Sequence, residues 1–503
     1  MPSADIAIIG AGPGGLAASL LLAHAGARVT VYERHARVGG RSAAIEADGF
    51  RFDTGPTFFL YPRILEEIFA SVGRRLRDEV EMIQLDPQYH IHFEQGGEIR
   101  ATPDRERMRA EIRRMAPADA ERFDLYMADN RRKLEVFEPI LQMPFHGPSA
   151  LFDRRMLQAL PHLRPTRTVD TDLFRFFQDP RVRLAFTFQS KYLGMSPFQC
   201  PSLFTILSFL EHEYGVWHPK GGCSAVMEAM ARIAREMGVR FELGTPVREL
   251  MFTGRRATGV VTDQGRQHVD AVVINADFAN AMIHLVPETL RARWTNRRLE
   301  NCKYSCSTFM LYLGIEGSYP ELEHHTIWLA RDYARNIEEI QNGKTLFENP
   351  SFYVQNACRT DPGLAPEGCS TLYVLVPVAH ETPHIDWSVL APRYREIALG
   401  QLPKIGITDV EKRIRVERML TPMSWRTDLS IHKGATFNLA HSLDQMLHRR
   451  PRNRFEDLDG VYLVGGGTHP GSGLPVIFEG ARVTTRLINE DLGLSSPAAE
   501  AAE

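Results

Sequence analysis

Residues 6–15 read Ile6-Ala7-Ile8-Ile9-Gly10-Ala11-Gly12-Pro13-Gly14-Gly15, and a second apolar run, Arg28-Val29-Thr30-Val31-Tyr32, ends at Glu33. The run 6–9 suits a buried parallel strand, and 14–25 is an Ala/Leu-rich helix stopped by Gly26. The glycines therefore fall on a strand-to-helix turn. Gly10 permits the tight turn, Gly12 lets the backbone approach a pyrophosphate, and Gly15 lets helix and strand pack closely, while the helix N-terminus faces the phosphate charge. The Glu33 carboxylate can accept hydrogen bonds from a ribose diol and would repel a 2′-phosphate, which disfavours NADP. Glycines alone describe any Gly-rich turn of an α/β protein; strand, helix, second strand and acid at this spacing describe a dinucleotide site.

NAD and FAD both fit so far. Gly39-Gly40-Arg41-Ser42 and Asp53-Thr54-Gly55-Pro56 separate them, because two glycines bring backbone N–H groups near a bound cofactor and an arginine adds charge for its phosphates. The bland alternative is a surface loop with an ordinary arginine. FAD is the expected cofactor.

At 503 residues the chain exceeds one compact core, so two or three interleaved domains are expected. A net charge of −3 argues against a general nucleic-acid binder. The cysteines, Cys200, Cys223, Cys302, Cys306, Cys358 and Cys369, form no CxxC pair and no zinc spacing, so free thiols in a reducing cytoplasm are expected and no metal site is assigned. Residues 6–23 are apolar, yet Asp5 precedes them, no basic region does, and glycines punctuate the run. They belong to the dinucleotide fold, and no other stretch is long enough to span a bilayer.

After Pro62 the pattern turns to charged helices at 105–114 and 118–134 and then to a Phe/Arg-rich stretch. Nucleotide-domain character returns at Trp217-His218-Pro219-Lys220-Gly221-Gly222, followed by a helix that Ser224 can cap and Gly238 can end, and by a strand at 239–243. Residues 247–277 read as strands with turns at Thr253-Gly254 and Asp263-Gln264-Gly265, and 460–468 returns a strand and a glycine turn before a closing helix at 475–492. The expected architecture is α/β: a discontinuous Rossmann-like FAD-binding domain (1–75, 215–280, 455–494), a substrate and membrane-contact region (76–214), an inserted mixed α/β substrate domain (281–454), and an Ala/Glu-rich disordered tail (495–503). With no second GxGxxG and no redox cysteine pair, electrons come from an organic substrate and leave to an acceptor.

Along nearly its whole length the chain resembles the bacterial-type phytoene desaturases, FAD-dependent carotenoid dehydrogenases of the flavin amine oxidase superfamily. The resemblance rests on the glycine motifs above and on Gly215-Val216-Trp217-x-Pro219-x-Gly221-Gly222, His324-His325-Thr326, and Thr360-Asp361-Pro362-x-Leu364-Ala365-Pro366-Glu367-Gly368-Cys369. It rests also on Arg450-Pro451-x-Asn453-Arg454 and Leu463-Val464-Gly465-x-Gly467-Thr468-His469-Pro470-Gly471-x-Gly473-x-Pro475. The resemblance implies noncovalent FAD whose adenosine and diphosphate meet Gly10, Gly12, Gly15, Glu33, Gly40 and Arg41, with Gly14, Arg34, Gly39 and Gly55 in the same set. It places Val247 at the adenine and Gly467 and Thr468 beside the ribityl chain and isoalloxazine; an aspartate often stands where Thr468 falls in other flavoproteins. Glu479 departs from the small apolar residue commonest at that place, which leaves open a shorter or oxidised carotenoid.

Desaturation beside a triene needs a flat two-electron acceptor against an allylic carbon, with proton loss from the neighbour. His469 and Glu479 are the candidates to assist proton loss; the alternatives are a turn or capping histidine and a carboxylate bonded to backbone or arginine. At ~0.8 kcal/mol per buried CH₂ a C30 to C40 hydrocarbon costs on the order of tens of kcal/mol to place in water, so it is taken from a bilayer. Residues 151–191, where Phe152, Phe174, Phe176, Phe177, Phe186 and Phe188 alternate with arginines, are the expected monotopic contact of a cytoplasmic, peripheral membrane protein; the alternative is core packing. Oxygen or a quinone is the expected electron acceptor. Two other readings are a flavin amine oxidase and a non-catalytic lipid binder like the Rab GDP-dissociation inhibitors. The first lacks a cysteine after Cys369 for a late cysteinyl-flavin, and the second needs no intact flavin site.

Overall fold

A computed structural model describes residues 4–494; the tail 495–503 lies outside the described residues. Its centre is a five-stranded parallel sheet in the order Arg240–Leu243, Arg28–Glu33, Asp5–Ile9, Ala271–Ile274, Val461–Leu463. Three of these strands, Asp5–Ile9, Ala271–Ile274 and Val461–Leu463, are mostly apolar and buried because both faces are covered, whereas the edge strand Arg240–Leu243 is partly exposed. On one face Ile6, Ile8, Val29 and Val31 pack with the helices Pro13–His24, Cys223–Glu236 and Leu474–Leu492. On the other, Ala7, Ile9, Val272 and Ile274 pack with Leu250 and Val260 of an antiparallel ribbon, Val247–Thr253, Arg256–Thr262 and Gly265–His268. The helix placed after Gly222 starts at Cys223, and Ser224 does not cap it. Asp53 does so from the end of the distant strand Phe50–Asp53, its Oδ1 accepting from the Cys223 N–H at 2.7 Å.

A second, seven-stranded sheet runs in the order Ile414–Leu420, Ser307–Glu316, Cys369–Val378, Phe352–Gln355, His325–Leu329, Tyr89–Phe93, Glu98–Ala101. All its pairs are antiparallel except His325–Leu329 with Tyr89–Phe93, so residues from 76–214 complete a sheet whose other five strands come from 281–454. Its long strand Ser307–Glu316 is buried on both faces: Phe309, Leu311 and Leu313 join a core with Trp387 and Tyr394, whereas Met310 and Tyr312 meet Phe50 and Phe52.

The helical region corrects the reading of 151–191. Phe176, Phe177, Phe186 and Phe188 belong to the core, with Phe177 stacked on Phe186 at 4.6 Å and Tyr126 against Phe186 at 5.1 Å. Only Phe152 (79% exposed) and Phe174 (51%) reach solvent. The arginines are held by local acids, Arg183 by Asp170 at 2.9 Å and Arg155 by Asp153 at 2.9 Å, so the Phe/Arg alternation reflects helices packed inward and paired outward. Among the described residues no helix is long and apolar enough to cross a membrane.

Lys133 of helix Phe123–Leu141 is buried with Asp172, its Nζ 3.0 Å from Oδ2, and also donates to Ser202 O at 3.0 Å and Thr205 Oγ1 at 2.7 Å. Lys133→Met removes one of several cations from Asp172, which keeps Arg164 at 3.1 Å and Arg175 at 3.3 Å, and leaves Ser202 O and Thr205 Oγ1 without that donor, so a loss of about 1–3 kcal/mol is expected in this region. Amide exchange of helix Phe123–Leu141 checks this; unchanged protection removes the pair from the stability of the helical layer.

Candidate flavin and substrate site

The parallel sheet delivers three chain segments to one edge, because Asp5–Ile9, Ala271–Ile274 and Val461–Leu463 all end there. Gly10 turns the first with φ +100°. Helix Pro13–His24 then begins with Gly12 as N-cap, no side-chain cap and proline in its first turn, so its leading N–H groups stay free for an anion. Asn275 clamps the turn, its Nδ2 donating to Gly10 O at 2.9 Å.

The glycines differ in whether they line the cavity. At Gly15 a Cβ would lie 2.2 Å from Gly10 O, and at Gly39 2.8 Å from Ala43 Cα, so these two permit backbone packing behind the wall. Gly10, Gly12, Gly14, Gly40 and Gly55 line the cavity itself. Gly55 is fixed by Tyr373, whose hydroxyl donates to its carbonyl at 2.7 Å.

Glu33 is buried at the cavity wall; its Oε2 accepts from Ala11 N at 2.8 Å and its Oε1 from His35 N at 2.9 Å. Each oxygen keeps a further lone pair for a ligand hydroxyl. Arg34 bonds the Ser430 hydroxyl and Arg41 the Thr436 carbonyl, and both line the cavity. Burial lowers the Arg41 pKa, opposed by Asp277, and burial raises that of Asp277, which accepts from Asn280 N at 3.0 Å and Asn438 Nδ2 at 2.6 Å. Val247 lines the same wall between Pro246 and Arg248.

Gly467 and Thr468, expected beside the ribityl chain and isoalloxazine, are buried and are not among the residues lining the cavity. A Cβ on Gly467 would stand 2.5 Å from Asn438 Oδ1 and 2.6 Å from Phe278 Cβ, and Thr468 is buried with its carbonyl on Arg450 Nε at 3.2 Å. The chain folds inward here, and Gly465, Gly466, Gly471, Ser472 and Gly473 form the wall instead. Arg450, fully buried, causes the fold: it also donates to Gly466 O at 2.6 Å and Leu439 O at 3.2 Å. Asn453 continues the staple to His469 O at 3.0 Å and Thr484 Oγ1 at 3.1 Å. Asn275, Arg450 and Asn453 had no assigned role in the sequence reading. A polar residue directly after the buried run Val272-Val273-Ile274 is the one local signal for Asn275.

His469 and Glu479 both border the cavity. Burial and the Arg450 guanidinium push the His469 pKa down to about 3, so its ring is neutral, packed edge-on against Phe145 at 4.7 Å. Burial raises Glu479, and its Oε2 accepts from Arg482 Nη1 at 3.2 Å while Arg482 also meets Glu67 at 2.8 Å. In the His324-His325-Thr326 motif, His325 faces the cavity and bonds the Tyr353 hydroxyl through Nδ1 at 2.7 Å, and Tyr353 meets Thr57 Oγ1 at 2.8 Å. Asp361 locks two further motifs together by accepting from Gly221 N at 2.6 Å.

The cavity is continuous, about 1040 Å³, at the top of the ~300–1,000 Å³ range usual for ligand pockets. Beyond the glycine edge its wall is apolar and aromatic, including Phe137, Phe188, Leu203, Ile206, Ile327 and Phe352. His90, His92 and Glu98 lie close together away from it and are not among its lining residues.

The sequence pattern of the flavin-containing amine oxidoreductases matches residues 13–486. The chain is 44% identical to a 4,4'-diapophytoene desaturase (4,4'-diapolycopene-forming) of Methylomonas sp. over 96% of this chain and 95% of that one. The chain belongs to the phytoene desaturase family of flavin-containing amine oxidoreductases. An all-trans-zeta-carotene desaturase of Myxococcus xanthus is 39% identical, with 97% and 94% covered. In fold, an oxidoreductase from Methanosarcina mazei superposes with a TM-score of 0.64 at 17% identity, covering 97% of this chain and all of that one. FAD is the cofactor of this family member, and the bare helix N-terminus, the methyl-intolerant glycines and buried Glu33 fit it.

Gly12→Val and Glu33→Arg are each expected to give colourless, less stable protein, read as flavin absorbance per chain; stoichiometric flavin in both sinks the assignment of the cradle. Arg450→Met leaves buried carbonyls of Gly466 and Thr468 without that donor, at about 1–3 kcal/mol each. A lowered unfolding temperature with partial flavin loss is expected, and wild-type behaviour on both counts refutes the staple.

Proposed function

We propose that this desaturase family member dehydrogenates an acyclic carotenoid precursor such as phytoene or 4,4'-diapophytoene. The observation that carries the reading is the single cavity, in which a dinucleotide cradle opens directly onto an apolar, aromatic chamber. The first and second relatives named above, whose own names are those of carotenoid desaturases, support the substrate class.

FAD bound in the cradle supplies a two-electron acceptor for hydride. Loss of H⁻ from one allylic carbon and of H⁺ from its neighbour leaves the new C=C bond. The chain's own contribution is to hold the polyene extended, to exclude water, and to accept the proton. Buried His325 and His469, both held near pKa 3, leave those parts of the chamber wall without positive charge and do not oppose a developing allylic cation. Such a cation is acidic enough that a weak base suffices, which suits neutral His469; Glu479, tied to Arg482, is the less available of the two candidates. Oxygen or a quinone is the terminal acceptor in this reading. Noncovalent FAD fits the six free cysteines, none later than Cys369.

The substrate's insolubility calls for cytoplasmic protein docked peripherally on a membrane. Helix Arg154–Leu163 supports this: Leu157 (52%) and Leu160 (45%) stand exposed beside Phe152, while Met156 and Ala159 pack with Phe137, Leu203 and Ile206 of the cavity wall.

His469→Ala is expected to slow flavin bleaching by phytoene or diapophytoene, in stopped flow without NAD(P)H, more than it weakens FAD binding. An unchanged rate removes His469, and no bleaching of wild-type protein removes the desaturase reading. Phe152→Ser with Leu157→Ser and Leu160→Ser is expected to weaken liposome sedimentation several-fold while FAD stays bound; equal sedimentation places membrane contact elsewhere.

A further inference from the structure

Two lysines with shielded ammonium groups, buried Lys133 and half-buried Lys191, meet opposite fates. Lys133 is satisfied by Asp172, Ser202 and Thr205. Lys191, on the short helix Phe188–Leu193, borders the cavity with its Nζ shielded from solvent and without a hydrogen-bond partner. Its Nζ lies over the ring of Tyr333, the first residue of helix Tyr333–Asn342, 5.6 Å from the centroid, a cation–π contact that supplies no hydrogen-bond acceptor in the ring plane. Tyr333 is 97% buried by its 3% exposure, borders the same cavity, and its hydroxyl also has no partner. Among the described residues no carboxylate pairs with Lys191. Cys306 stands near, but burial pushes its thiol up to about 11 and keeps it neutral. Burial lowers the lysine to about 8, so at neutral pH it is still mostly a cationic donor.

An ammonium whose one partner is a ring face, beside a phenol without a hydrogen-bond acceptor, is disfavoured in an apolar chamber unless a ligand supplies an acceptor. A pure hydrocarbon has none. Building on the proposed carotenoid reading, we infer that Lys191 and Tyr333 form a polar subsite that hydrogen-bonds a terminal carbonyl oxygen, aldehyde or carboxylate, of an acyclic polyene. A carbonyl oxygen carries two lone pairs, which suits one N–H and one O–H donor. A positive charge beside the reacting carbons would oppose hydride loss, so this subsite belongs to the end of the chain and not to the bond being oxidised. A reaction that oxidises a chain-terminal methyl would supply such a substrate.

The test uses the FAD-loaded, full-length enzyme in liposomes with two probes, a C30 acyclic polyene hydrocarbon and the same polyene bearing one terminal aldehyde. Wild-type protein is expected to bind the aldehyde about 10- to 100-fold more tightly, the range for hydrogen bonds to a charged donor. Lys191→Met and, independently, Tyr333→Phe are each expected to cut that ratio at least several-fold, with Lys191→Arg retaining part of it. Equal binding of both probes by wild type overturns the subsite, as does a variant that weakens both probes alike. A shift in flavin absorption or midpoint potential with the ratio untouched assigns the missing acceptor to the cofactor and also overturns it. If neither probe binds, the carotenoid reading itself falls, which the ratio measurement keeps distinct.

Discussion

The approach of Gly15 to Gly10 is the constraint on which the site depends. A single methyl there would reach within 2.2 Å of the Gly10 carbonyl oxygen, so strand and helix can meet at this angle only without a side chain. That contact leaves the helix N-terminus bare, and the parallel sheet brings Asn275 and Gly465 to the same edge. Asn275 serves both neighbours: its Nδ2 holds Gly10, and a Cβ on Gly465 would lie 3.3 Å from its Oδ1. Three segments separated by hundreds of residues therefore make one binding edge through backbone atoms.

Electrostatics then divides the cavity. At the cradle end Glu33, Arg41 and Asp277 supply charge matched to a polar cofactor, each already half-satisfied by the backbone or by an amide. At the chamber end desolvation strips charge from the histidines, and Tyr353, Thr57 and His325 satisfy one another. A hydrocarbon can occupy such a wall without displacing hydrogen bonds to water. Lys191 is the cation among several polar groups of this wall, Tyr333 included, that have no hydrogen-bond partner among the described residues.

Legibility in the sequence followed the range of the interaction. The first strand, helix, second strand and Glu33 were readable because local spacing alone defines them, and the strand at 461–463 was readable from its apolar run and following glycines. Asp53 capping the helix at Cys223 was not, since the partners are 170 residues apart and Ser224 offered a plausible local cap. The grip of Arg450 on the carbonyls of Gly466 and Thr468 was illegible for a similar reason, since no pattern around 465–475 reveals it. The Phe/Arg alternation at 151–191 misled because aromatic residues paired with arginines look alike whether the rings face lipid or a core; only contacts such as Phe177 on Phe186 decide.

The same correction sharpens the membrane argument. With four of the six phenylalanines withdrawn into the core, Phe152 and Phe174 stay exposed, and Phe152 stands with Leu157 and Leu160 on and beside one amphipathic helix. That helix shares its buried face with Phe137, Leu203 and Ile206, which are themselves cavity wall. A polyene leaving lipid at this face would have to cross one layer of side chains and never meet bulk water, which is the condition the transfer free energy of a long hydrocarbon imposes. Entry by this route requires movement of Met156 and Ala159 against the wall, not unfolding, because the helix is joined to it by apolar contacts that exchange one hydrocarbon neighbour for another at little cost.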